Sequence, residues 1–186
     1  MEKFKSIKRG HALVSAGEFG LVWRVNQGVF RLERLGLDGL SLVQLALPGD
    51  LLGVESLCGE AYAYTVTAIT TGEAQIQNTQ GELSRFGIVA KAYLQQQRRT
   101  HDMMKLRGGP VSERLTHFLK LLSRNADGSV RELDRRDLPI LKEIASILDT
   151  ATETVCRELN AFLPARVYQR PAKREAWAGN ELAMAA

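Results

Sequence analysis

Glu143-Ile144-Ala145-Ser146-Ile147-Leu148-Asp149-Thr150-Ala151-Thr152-Glu153-Thr154-Val155-Cys156-Arg157 carries the pattern of two short helices joined by a tight turn. Ala145 is small where two helices cross closely. Asp149 stands where the turn needs a left-handed backbone, which aspartate tolerates better than most residues. Ile144, Leu148, Val155 and Leu159 then face one shared core, and the opposite face of the second helix is free. In a helix-turn-helix that second helix enters the DNA major groove with its first turns against the base edges. Thr152, Glu153, Cys156 and Arg157 are the residues so exposed. Two local roles compete with base reading. Thr150 and Glu153 match a capping box, and Arg157 lies one turn from Glu153, at ion-pair spacing.

The surrounding chain extends this helical reading. Leu138–Leu148 and Thr152–Phe162 are expected to be the two helices, and Val111–Ser123 another, with Leu115, Phe118, Leu119 and Leu122 at helical spacing. Asn125-Ala126-Asp127-Gly128 reads as a turn. Arg107-Gly108-Gly109-Pro110 puts three poor helix formers in a row, a boundary and a hinge. Before it, Ser84–Leu106 holds no proline and one glycine and reads as one long helix. Phe86, Ala90, Tyr93, Gln97, Thr100 and Met104 recur there at alternating spacings of four and three, a narrow stripe. A partner helix is one reading of that stripe, and packing on the chain's own strands is the other.

From residue 11 to about 76 the sequence changes to short apolar runs cut by turn signals. The runs are His11–Ser15, Leu21–Val25, Val29–Arg34, Ser41–Leu47, Leu51–Gly53, Tyr62–Ile69 and Ala74–Gln77. The breakers are Ala16-Gly17-Glu18, Asn26-Gln27-Gly28, Leu37-Asp38-Gly39, Pro48-Gly49-Asp50 and Thr71-Gly72. Strands this short and evenly spaced suit an antiparallel sandwich or barrel. The fold class is therefore α+β: an N-terminal jelly roll over residues 1–83, a long helix over 84–107, and a helix-turn-helix unit over 108–186.

Composition sets the outer limits. The 186 residues are 45% hydrophobic and 25% charged, typical of a globular chain, and carry a net charge of +4. The charge is uneven, with six basic residues and one acidic residue between 84 and 110. Arg166, Arg170, Lys173 and Arg174 cluster without an intervening acid, which suits phosphate contact. No apolar run approaches the ~18 residues of a membrane span, and the start lacks the apolar core of a secretion signal. A cytoplasmic protein with no membrane partner is expected. Two cysteines, Cys58 and Cys156, cannot supply an iron–sulfur cluster.

The order of strands, long helix, hinge and helix-turn-helix resembles the CRP/FNR family of bacterial transcription regulators. Pro48-Gly49-Asp50 with Gly53 matches the turn of that family's sensor roll, and Thr152-Glu153-Thr154-Val155-Cys156-Arg157 matches its recognition helix. The resemblance implies a homodimer, not an enzyme, that regulates transcription from a palindromic site on double-stranded DNA and contacts RNA polymerase. Half-sites would lie about 10–10.5 base pairs apart. Phe86, Ala90, Tyr93, Gln97, Thr100 and Met104 would form the dimer interface. Glu153 would accept a hydrogen bond from a cytosine amino group, and Arg157 would donate two to a guanine. Thr152, Thr154 and Cys156 would complete the DNA-binding face, with Arg166 and Arg170 on phosphates.

The departures from the family are equally specific. Cyclic-AMP-binding members carry an arginine that neutralises the cyclic phosphate, and no basic residue lies between Gly53 and Ile76 here. A buried phosphate would lack a charged partner, so cyclic-AMP dependence is not expected. Gly53, Glu55, Tyr62 and Thr100 mark the corresponding effector pocket. No cofactor is indicated, the effector is unspecified, and haem ligation by His11 or Cys58 is disfavoured. The chain begins closer to its first roll motif than most relatives do. After the recognition helix, Phe162–Pro171 offers at most one strand, so the wing is expected to be reduced.

A jelly-roll metal enzyme of the cupin kind, or a ligand-binding module that reads no DNA, is the alternative. Such enzymes cluster histidines around a metal, whereas His11, His101 and His117 are scattered and form no His-x-His.

Overall fold

The computed structural model describes residues 4–37 and 39–163. The expected wing and tail, with Arg166, Arg170, Lys173 and Arg174, lie outside the described residues, as does Asp38.

Eight strands form two antiparallel four-stranded sheets. One sheet runs in the order β1 (Phe4–Ile7), β8 (Gly72–Ile76), β3 (Trp23–Gln27), β6 (Leu51–Leu52). The other runs β2 (Ala12–Val14), β7 (Thr65–Ala68), β4 (Phe30–Gly36), β5 (Gly39–Ala46). Period-two alternation sends Val66 and Ala68 inward from β7, where they meet Val25, Phe30, Leu32, Leu52 and Ala74 in one core. Two turns close against each other at the end of the roll. A Cβ on Gly28, at φ 86°, would lie 2.6 Å from Gly72 Cα, and one on Gly72 would lie 2.8 Å from the Phe30 ring. Neither turn accepts a side chain.

Two details differ from the sequence expectation. β1 had no predicted run: only Ile7 of its four residues is buried, so it shows no alternation, yet it pairs with β8 along its whole length. The Tyr62–Ile69 run is a strand only from Thr65 to Ala68, because a 3₁₀ turn at Val54–Cys58, bracketed by the left-handed Gly53 and Gly59, precedes it and Tyr62 pairs its backbone with Gly17 and Glu18 instead.

The long helix α1 (Glu82–Arg107) is 26 residues, about 39 Å at 1.5 Å per residue. One face, with Ile88, Gln95 and Leu106 buried, lies on the roll. Gln95 is built into the sheet. Its Oε1 accepts the Leu51 N–H at 2.7 Å and its Nε2 donates to the Leu51 carbonyl at 3.0 Å, so a side-chain amide completes the edge strand β6.

Gly108 and Gly109, the latter at φ 81°, break the helix, and Pro110 precedes α2 (Val111–Leu122). Then come an Arg124–Val130 bridge, a 3₁₀ turn at Arg135–Asp137, α3 (Leu141–Leu148) and α4 (Thr152–Phe162). The helix expected from Leu138 starts three residues later, because Pro139 drives Leu138 to an extended ψ of 149°.

The break at Gly108-Gly109 interrupts the helix but not the core. Val29, Leu45, Leu47 and Ile69 of the roll share one apolar cluster with Leu106, Phe118, Ile144 and Val155. Fully burying a side chain of this size is worth about 1.5–3 kcal/mol, so the helical unit is docked on the roll. No helix among the described residues is long and apolar enough to cross a membrane.

Candidate nucleic-acid interface

The helix-turn-helix is built from α3, the turn at Asp149-Thr150-Ala151, and α4. Asp149 adopts φ 49° and ψ 61°, and among the described residues it is the one non-glycine residue with positive φ. The Asp149 and Thr150 N–H groups both reach the Ala145 carbonyl. Ile144, Leu148, Val155 and Leu159 are at most 3% exposed, so the four residues expected to share a core do so. At the start of α3 the Ile140 N–H donates to the Glu143 carboxylate, which also takes an ion pair from Arg9 of the roll at 3.1 Å.

Two arginines cover the C-terminal ends of the two helices, Arg114 that of α3 and Arg135 that of α4. Arg114 of α2 donates from Nη1 to the Leu148 carbonyl at 2.5 Å and the Asp149 carbonyl at 3.3 Å, where the α3 dipole is negative. Arg135 donates from Nε to the Leu163 carbonyl at 2.6 Å and from Nη2 to Asn160 Oδ1 at 2.5 Å, covering the end of α4. Both contacts bridge residues at least 25 apart in sequence, so periodicity carried no sign of them. With the turn before it and its C-terminal end so held, α4 turns Val155 and Leu159 inward and leaves a defined outer face.

On that face Glu153 and Arg157 are exposed, while Thr152, Thr154 and Cys156 are half-buried. The two competing local roles are not realised. The residue before α4 is Ala151, with no side-chain cap, so the Thr150–Glu153 box is not made. Neither Glu153 nor Arg157 makes a side-chain hydrogen bond or ion pair with a described residue. An acceptor and a two-pronged donor one turn apart are thus free to meet base edges.

The stripe predicted on α1 lies away from the roll. Phe86, Tyr93 and Met104 are 74%, 64% and 69% exposed, Gln97 and Thr100 are exposed, and Ala90 is half-buried. Packing on its own strands is carried by other residues of the helix, so that alternative fails for this stripe.

Gly53, Glu55 and Tyr62 line a small cavity of about 120 Å³ in the roll. Tyr62 is held in its wall. Its hydroxyl donates to the Leu21 carbonyl at 2.8 Å, burial raises its pKa, and a Cβ on Gly53 would come within 2.4 Å of its ring. Glu55 accepts the Ala63 N–H at 2.8 Å. No cationic side chain lines the cavity. Thr100 is not part of it: its hydroxyl donates to the Gln96 carbonyl of its own helix, on the exposed face. Among the described residues no three His, Cys, Asp or Glu side chains group as a metal site.

No family model matches this chain. The transcriptional regulator LdrP of Thermus thermophilus, from either of two strains, is 30% identical over 146 residues, spanning 74% of this chain and 72% of that protein. Among solved structures, a CRP-family transcriptional regulator of Thermus thermophilus superposes with a TM-score of 0.64 at 25% identity, covering 85% of this chain and 83% of that one. FixK2 of Bradyrhizobium japonicum shares the fold, with a TM-score of 0.64 at 21% identity over 86% and 83%.

Proposed function

This chain belongs to the CRP/FNR family of transcriptional regulators, and we propose that it works as a homodimer that reads a palindromic DNA site without cyclic AMP. The observation that carries the reading is the pair of exposed, unpaired side chains Glu153 and Arg157 on a second helix whose C-terminal end is held by Arg135 and whose preceding turn is held by Arg114. Thr152, Thr154 and Cys156 flank them, and Arg166 and Arg170 would add phosphate contacts. The organisation is a roll over 1–83, a dimerisation helix over 84–107 and a DNA-binding unit over 108–186. Contact with RNA polymerase belongs to the same reading.

Dimerisation rests on the uncovered stripe of α1, whose aromatic residues face away from the roll. Independence from cyclic AMP rests on the roll. Its cavity, of about 120 Å³, is below the ~300–1,000 Å³ of ordinary small-molecule sites, and it offers no cation for a phosphate. The jelly-roll enzyme alternative is set aside, since the relatives are transcriptional regulators.

The test is selection of bound duplexes from a random pool at fixed, near-physiological salt, with and without cyclic AMP. Salt is fixed because phosphate contacts make binding strongly salt-dependent. The same palindrome is expected in both arms. Enrichment only in the presence of cyclic AMP would overturn ligand independence.

A further inference from the structure

A second cleft, of about 360 Å³, opens where the roll, α1 and the segment after α2 meet, and it shares no lining residue with the Tyr62 cavity. Its floor is the contact between two turns: a Cβ on Gly49 of the roll would lie 3.6 Å from the Ala126 carbonyl oxygen. The acidic groups in its wall are already engaged. Asp50 receives Arg99 through Nε at 2.7 Å and Nη2 at 3.0 Å, and also the Leu47 N–H at 2.8 Å. Asp102 receives Arg99 Nη1 at 2.6 Å and lies 3.1 Å from His117 Nε2.

Three further arginines line the same cleft from three different parts of the fold: Arg24 of β3, Arg98 of α1 and Arg124 of the segment after α2. None has a side-chain partner among the described residues. Arg99 neutralises one of its two carboxylates, and the three further arginines outweigh the other, so the cleft keeps an excess of positive charge. Unpaired arginines elsewhere, such as Arg34 and Arg107, line none of these clefts.

We propose that this cleft is a binding site for a small phosphate-bearing anion, held by Arg24, Arg98 and Arg124. Guanidinium forks match phosphate oxygens in pairs, and a compact anion with several oxygens satisfies cations arriving from three directions. The recess favours a small molecule over a DNA backbone, which follows an extended surface. A ligand there touches the roll, α1 and the segment after α2 together. The site is separate from the Tyr62 cavity. Its failure would leave the DNA-reading proposal untouched.

The test uses the full chain and inorganic triphosphate as probe, with binding measured calorimetrically. The variants are R24Q/R98Q/R124Q and the control R34Q/R107Q, both changing exposed arginines. Wild type and control are expected to bind one triphosphate per chain, and the cleft variant to bind about tenfold more weakly or not at all. Duplex affinity of the cleft variant in the absence of triphosphate is expected to be unchanged. No saturable binding to wild type at about 1 mM probe, equal weakening in the control, or unchanged binding in the cleft variant would overturn the proposal. So would a matching loss of duplex affinity, which would give the three arginines to DNA phosphates. Arg98→Gln alone, on the exposed face of α1, supplies the same reading should the triple variant not fold.

Discussion

Arg114 and Arg135 do for α3 and α4 what no residue within either helix does. Each closes a helix end that would otherwise leave carbonyl oxygens without partners, and each does so from a separate element. Arg114→Ala and Arg135→Ala are each expected to cost about 1.5–3 kcal/mol, the value of a charged hydrogen bond, read as lowered stability in denaturant. Arg135→Lys should restore little, since a single ammonium cannot replace the Nε and Nη2 donors that reach Leu163 and Asn160 together. At this scale the sequence was readable wherever a residue acts on its near neighbours. Asp149 was expected to be left-handed and is, because the requirement is set by the two helices it joins. The arginine caps and the Gln95 bridge were not readable, because their partners lie far away along the chain and carry no pattern.

The elements show the same division. α4 was placed to the residue and α2 to within one, since their apolar spacing is local and strong. β1 escaped because its stability comes from pairing with β8 and not from its own pattern. Two experiments belong here. Gln95→Ala removes both hydrogen bonds to β6 and leaves a buried strand edge open, so it should destabilise the chain by about 1–3 kcal/mol. The stripe on α1 makes a different prediction. F86E/Y93E, which changes two residues exposed on the single chain, should shift sedimentation from dimer to monomer and remove the dependence of the thermal midpoint on protein concentration. A wild type that already sediments as a monomer would contradict the dimer proposal.

For the whole molecule, the roll and the helical unit are joined by a shared core and by a polar chain running Asp50, Arg99, Asp102, His117. Sequence placed the break at Gly108-Gly109 correctly but gave no sign that the core continues across it. The polar chain carries a pH dependence. Burial lowers the His117 pKa, with Asp102 opposing, so the folded chain holds the neutral imidazole more firmly than the unfolded chain does. On acidification the unfolded state takes up the proton first. The stability that neutral His117 contributes is full above about 6.5 and is lost as pH falls through the lower folded value. Between pH 7.5 and 5.5, values chosen to bracket about one unit on either side of that point, the thermal midpoint should fall more in wild type than in His117→Gln.

The measurement that bears most directly on function is duplex selection from a random pool, run side by side on wild type and Arg157→Ala at fixed salt with no added ligand. Wild type is expected to enrich a palindrome with a fixed guanine in each half-site. Arg157→Ala should lose the preference at that one position, worth about 1–3 kcal/mol, while keeping the rest of the site. A variant that selects the same guanine as wild type, or a wild type that enriches nothing, would contradict base reading by this helix.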